Sequence, residues 1–279
     1  MKSNLTLVPI GGLGNRIYAI CSAIVYCRQQ NKSLEIIWFK DHGCNCPVKE
    51  LFSINPEIKN VTLRDATFSD LILRDNPRRR NFWIPQFFQQ FVYDRRIYTK
   101  EAYKVHAELP DSSFGELDAY KHIFMVSFFS YWKSADMWSF ICNTTQIEDK
   151  VNTIIQGWDG KEVYGVHVRR TDNSEAIMFS PTDLYVKTMK ECLEINPDLY
   201  FYLATDSMEV KQELVEIFGD RIMMSDDAYS RNTRDGIISA FVELNVLSRT
   251  KKILASSNSS FSNLAHLLHK TAIEVIQKS

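Results

Sequence analysis

Apolar residues along this chain of 279 gather into short runs that alternate with stretches of helical spacing, and that alternation predicts an α/β protein with parallel sheets. Residues 5–10 form the first run and end in Gly11-Gly12-Leu13-Gly14. From Asn15 to Gln30 the positions Ile17, Ile20, Ala23, Ile24 and Cys27 then repeat as on one face of a helix. The opening unit is thus strand, glycine turn, helix. Runs at 34–39, 58–63 and 122–129 predict further strands. Between 64 and 118 the pattern is less regular; this stretch carries Asn76-Pro77-Arg78-Arg79-Arg80 and an aromatic-rich segment from Phe82 to Tyr103, and reads as loops and helices over the end of the first sheet.

The alternation becomes cleaner after 150. It predicts a helix from 151 to Gly157, a strand at 163–168, a helix at 182–194 opened by Ser180-Pro181, and a strand at 200–204. A helix at 207–218 stopped by Gly219, a strand at 221–224, a helix at 235–249, a strand at 252–255 and a final helix from 259 complete the series. The expectation is two Rossmann-like domains, 1–150 and 151–279, without repeats or low-complexity segments.

Composition narrows the partners. With 45% hydrophobic residues the chain can fill two cores of ordinary domain size. A formal net charge of −1 leaves no global basic excess, which argues against nucleic acid or a membrane surface as the main partner, so any anion site must be local. The six cysteines, Cys21, Cys27, Cys44, Cys46, Cys142 and Cys192, lack paired metal-ligand spacing; Cys44-Asn45-Cys46 reads as surface thiols, and no metal is expected. With no secretory signal peptide and no apolar run near the ~18 residues of a membrane span, the chain reads as a soluble cytoplasmic protein.

Candidate chemistry sits where open α/β sheets hold ligands, at the carboxyl ends of strands. The strongest such feature is Gly165-Val166-His167-Val168-Arg169-Arg170-Thr171-Asp172, which puts two arginines just past a buried strand. A guanidinium keeps its charge and presents a fork that matches phosphate oxygens. The others are Gly11-Gly12-Leu13-Gly14-Asn15-Arg16, Ala204-Thr205-Asp206-Ser207 and Ser256-Ser257-Asn258-Ser259-Ser260-Phe261. The glycine turn fits neither a P-loop nor a dinucleotide fingerprint, and is either structural or a close approach for a ligand. The serine loop either caps the last helix through Ser259 or offers hydroxyls and amides to phosphate. The Arg78–Arg80 run, beside Phe82, Trp83 and Tyr93, is either an acceptor or acidic-glycan contact or an exposed loop beside packed aromatics.

Taken together, His167-Val168-Arg169-Arg170-Thr171-Asp172, Leu203-Ala204-Thr205-Asp206 and Ser257-Asn258-Ser259-Ser260-Phe261-Ser262 resemble, in order and spacing, the α1,2/α1,6/protein-O-fucosyltransferase superfamily. The first half of the span from Gly165 to about Leu268 is most similar to NodZ-type and core α1,6-fucosyltransferases. The serine loop and Gly11-Gly12-Leu13-Gly14-Asn15 are similar to bacterial α1,2-fucosyltransferases, which implies a bacterial setting.

The resemblance implies a GT-B-like pair of Rossmann-like domains facing across a cleft. It further implies inverting, metal-independent transfer of L-fucose from GDP-β-L-fucose to a glycan hydroxyl. Arg169 is then the diphosphate clamp, and Arg170 a more structural arginine pairing with Asp172 or Asp206. His167 and Glu243 match positions that contact guanine, Glu243 standing where the family often has Asp. Ser259 and Ser260 match serines near the phosphates; Gly12, Gly14, Asn15 and Arg16 face the cleft from the N-terminal domain. Glu175 is the nearest match to the base, although Arg170-Thr171-Asp172-Asn173-Ser174-Glu175 is two residues shorter than the core-enzyme motif and lacks its lysine. A transferase of another nucleotide sugar, or an inactive sugar-nucleotide-binding protein, remains the alternative.

Overall fold

The computed structural model describes residues 4–108, 114–170, 174–225 and 232–278. Strand β1 (Asn4–Pro9) leads through the glycine turn into α1 (Leu13–Gln29), followed by β2 (Ser33–Trp38), β3 (Phe52–Ile54) and β4 (Val61–Asp65). Then come α2 (Phe68–Leu73), α3 (Ile84–Val92), β5 (Arg95–Ile97), α4 (Thr99–Glu108), β6 (His122–Ser127) and β7 (Ile141–Asn143). The strands β4-β2-β1-β6-β5 form one sheet with every neighbouring pair parallel, and β3 and β7 make a small antiparallel ribbon. Apolar on nearly every side, α1 is buried from Leu13 to Cys27 at all positions but Asn15 and Tyr18.

The remaining elements are α5 (Thr145–Gln156), β8 (Val163–Val168), α6 (Ser174–Phe179), α7 (Thr182–Ile195), β9 (Tyr200–Thr205) and α8 (Met208–Phe218). They end with β10 (Ile222–Met223), α9 (Arg234–Leu247), β11 (Lys252–Ser256), α10 (Ser260–His269) and β12 (Ala272–Ile276). A second all-parallel sheet runs β10-β9-β8-β11-β12. Val166, Val168, Phe201, Leu203 and Leu254 of its strands pack against Tyr185 and Met189 of α7 and Leu214 of α8. Each of these buried apolar side chains contributes about 1.5–3 kcal/mol.

The chain divides into two compact units, 1–144 with 231–237, and 145–230 with 238–279. The division falls at Thr144, where the sequence puts its boundary at 150, because the apolar stripe of α5 begins a turn earlier, at Ile147. A single cut also omits the return of 231–237 to the first unit. The predicted final helix is corrected at its end: Lys270 takes a left-handed C-cap at φ +56°, and β12 adds an edge strand. Cys44 and Cys46 are corrected too. Both are buried, and burial pushes their thiols up to about 11 and about 12. Among the described residues no helix is long and apolar enough to cross a membrane.

Candidate active site

The order of the second sheet reverses between β8 and β11, the switch point outside whose carboxyl ends doubly wound sheets hold ligands. Strand register sets His167 level with Ala204 of β9 and Ala255 of β11, so the arginine loop, Asp206 and the serine loop emerge side by side. Ser256 stitches two of them: its hydroxyl accepts from the Arg169 amide at 2.9 Å and donates to the His167 carbonyl at 3.1 Å. Tyr185 reaches the same carbonyl at 3.0 Å, and Ser180 Oγ accepts from the Ser257 amide at 2.8 Å.

The two arginines differ sharply. Arg170 turns inward, donating to the carbonyls of Arg169 and Ser180, each at 2.8 Å, and to Thr182 Oγ1 at 3.0 Å. Arg169 is the one ion-paired with Asp206, Nη1 to Oδ2 at 3.1 Å, while Asp206 Oδ1 accepts the Arg170 amide at 2.7 Å. The expected pairing of Arg170 with Asp206 runs through the Arg170 backbone amide, while among the described residues its guanidinium donates to three neutral acceptors. Asp172 lies outside the described residues. Asp206, held at both oxygens, fixes the fork of Arg169 at the carboxyl end of β8.

Ser259 is the N-cap of α10 and accepts from the Ser262 amide, leaving the first-turn amides of Ser260 and Phe261 without acceptors inside the helix. They and the helix dipole favour an anion at this point. His167 is buried, stacked on Phe261 with centroids 5.0 Å apart, and has Nδ1 3.5 Å from Ser259 Oγ. Burial and the nearby Arg169 charge hold its pKa down to about 3, partly opposed by Asp206, so the ring is neutral near pH 7. Glu243 of α9 is buried and accepts from Ser225 Oγ at 3.0 Å. Exposed on α6, Glu175 accepts from Asn258 Nδ2 at 2.6 Å, which joins it to the serine loop.

In the first unit Gly11 takes φ +84°, a conformation glycine adopts freely, and Gly12 is the N-cap of α1. Gly14 is buried and Asn15 partly so. Arg16 is corrected from its expected role facing a ligand. It is fully buried over the Trp38 ring and donates to the carbonyls of Gly11 at 2.8 Å and Phe39 at 2.6 Å, with Nη2 2.7 Å from Asp41 Oδ1. Its fork is consumed in tying the turn after β1 to the loop after β2. A cavity of about 590 Å³ in this unit is walled by Lys40, His42, Arg78 and Arg80. Of the aromatics expected to pack beside the arginine run, Tyr93 is buried, whereas Phe82 and Trp83 are exposed.

Sequence reasoning missed Tyr185, Ser180, Ser225 and Phe261 as parts of the site. Ser180 before the α7 proline and Phe261 inside the serine motif carried a positional signal; Tyr185 and Ser225 carried none.

No protein-family model matches the sequence, and no curated protein is significantly similar to it. Solved structures do match in fold. NodZ alpha-1,6-fucosyltransferase soaked with GDP-fucose is 16% identical, with 96% of this chain and 93% of that chain covered at a TM-score of 0.66. Fucosyltransferase NodZ from Bradyrhizobium is 17% identical over 96% and 94%, TM-score 0.69. POFUT1 in complex with GDP is 9% identical over 99% of both chains, TM-score 0.62. The chain shares the GT-B fold class of these fucosyltransferases, and each of its two units is Rossmann-like.

Proposed function

We propose that the protein is a glycosyltransferase that moves L-fucose from GDP-β-L-fucose to a glycan hydroxyl, with inversion and without a divalent metal. One observation carries the reading: Arg169, oriented by Asp206, stands in the same switch point as the amino end of α10. In the reaction the acceptor oxygen attacks the anomeric carbon as the bond from that carbon to the β-phosphate oxygen breaks, the electron pair leaving with GDP. Arg169 and the first-turn amides of α10 meet the charge that develops on the diphosphate. Glu175 is the candidate base for the hydroxyl proton. Neutral His167 and buried Glu243 are the candidate guanine contacts, a carboxylate accepting from N1 and N2 of the base. The cavity lined by Lys40, His42, Arg78 and Arg80 is the candidate acceptor side.

Calorimetric titration with GDP, UDP and ADP, followed by a GDP-fucose hydrolysis and acceptor-array assay with and without chelator, tests this reading. GDP-selective binding and chelator-insensitive turnover are expected. Preference for another nucleotide reassigns the donor, binding without turnover makes the protein a sugar-nucleotide binder, and no nucleotide binding defeats every transferase reading.

A further inference from the structure

Helix α3 of the first unit is built inside out. Its buried residues are Pro85 and Gln89, and Gln89 is satisfied there, donating to the Asp75 carbonyl at 3.0 Å and accepting from Tyr98 Oη at 2.9 Å. Ile84, Phe87, Phe88 and Phe91 repeat at i, i+3, i+4 and i+7 and face outward. Phe87 and Phe91 are 58% and 72% exposed. Neighbouring α2 adds Phe68, Leu71 and Ile72 to the exposed apolar residues of this region. Monomeric proteins seldom leave so many large apolar side chains together in water.

The turn that leads into α3 is strained. Phe82 and Trp83 both adopt left-handed backbone, φ +51° and +56°, a region that bulky residues avoid unless the surroundings enforce it. The enforcement is visible. Arg78 and Asn81 donate to the buried Asp75 carboxylate at 2.9 and 3.1 Å, Asn81 also donates to the Asn76 carbonyl, and the Trp83 amide donates to Arg78 O. This scaffold holds Phe82, 78% exposed, and Trp83, 52% exposed, out in solvent.

Charge beside the face is mainly positive, with Asp94 the exposed carboxylate just past the end of α3. Arg78, Arg79 and Arg80 are exposed at its edge, while the acidic residues between 66 and 93, Asp70 and Asp75, are buried and ion-paired. The chain's net charge of −1 conceals this local balance. We infer that the face formed by α2, the 82–83 turn and α3 docks on an anionic lipid surface, the apolar side chains entering the headgroup boundary and the arginines meeting lipid phosphate. A second copy of the chain fits less well, because a two-fold pairing of this face would bring two arginine runs together.

The test is co-sedimentation of the full chain with phosphatidylcholine vesicles, alone or with about one-third phosphatidylglycerol. Trp83 is the exposed tryptophan of the five, so its emission reports insertion. Expected are pelleting and a blue shift with anionic vesicles only, both lost in Phe87→Ser/Phe91→Ser. Arg79→Gln, in a solvated side chain outside the cavity, should weaken partitioning by about fivefold, the effect of one basic charge near such a surface. The inference is overturned if the wild type stays in the supernatant, if neutral vesicles bind it equally, or if Arg79→Gln changes nothing. It is also overturned if sedimentation velocity shows a dimer that Phe87→Ser/Phe91→Ser makes monomeric.

Discussion

Acidification reads out the pocket around His167. Its pKa of about 3 in the fold stands against 6.5 in the unfolded chain, burial being the main cause. Below about pH 6.5 the unfolded chain therefore takes up a proton that the folded chain refuses, and stability falls with pH until the folded pKa is reached. One pH unit corresponds to about 1.4 kcal/mol, so between pH 7 and pH 5 this single ring removes about 2 kcal/mol, and over the whole window on the order of 4–5 kcal/mol. Chemical unfolding of the wild type and His167→Gln at both pH values isolates the effect, because glutamine keeps polar atoms but takes no proton. His269, whose pKa is also lowered by burial, contributes equally to both proteins and cancels. The wild type should lose about 2 kcal/mol more than the variant, and NMR of nitrogen-labelled histidine should show a neutral imidazole at pH 5 that is missing from His167→Gln. A His167 ring that titrates near 6.5, or equal acid losses in the two proteins, refutes the buried neutral assignment.

Three further outcomes follow from the same geometry. Arg169→Lys keeps the charge but loses the fork, and should lower turnover by about 100-fold or more, measured as GDP release, with a smaller loss in GDP affinity. Arg170→Ala should instead act on the fold: removing the donor to two carbonyls and Thr182 lowers stability by about 2–4 kcal/mol in chemical unfolding. Alkylation at pH 8 should label Cys142 and Cys192, which are partly exposed, ahead of the buried Cys21, Cys27, Cys44 and Cys46, with all six reacting in denaturant.

The second sheet was legible because its strands, 163–168 above all, are continuous apolar runs closed by polar loops, a pattern that burial on both faces requires. Of the candidate site, the strand ends and charged forks were readable: Arg169 pairs with Asp206, and Ser259 lies 3.5 Å from His167. Arg16 misled because an arginine beside a glycine turn has the same local sequence whether it meets a ligand or two backbone carbonyls; only the position of Phe39 decides. Edge strand β12 hid behind a lysine in the left-handed cap, where a glycine would have announced the end of α10. In α3 the helical period was present, but its direction was unreadable, since inversion depends on Gln89 finding Asp75 and Tyr98.

Gly165 gives the second unit a mechanical setting. A methyl group there would lie 2.7 Å from Leu247 Cδ2 and 3.0 Å from Thr250 Oγ1, so these two side chains at the end of α9 must shift before a larger residue fits. Glu243 lies one helical turn before Leu247 on the same face, and His167 two residues beyond Gly165 on the strand. The two candidate base contacts thus flank the place where the Leu247 side chain packs on Gly165. Under the proposed donor reading, Gly165→Ala should blunt a preference for GDP over ADP in calorimetric titration while substituting none of the candidate ligand-facing side chains.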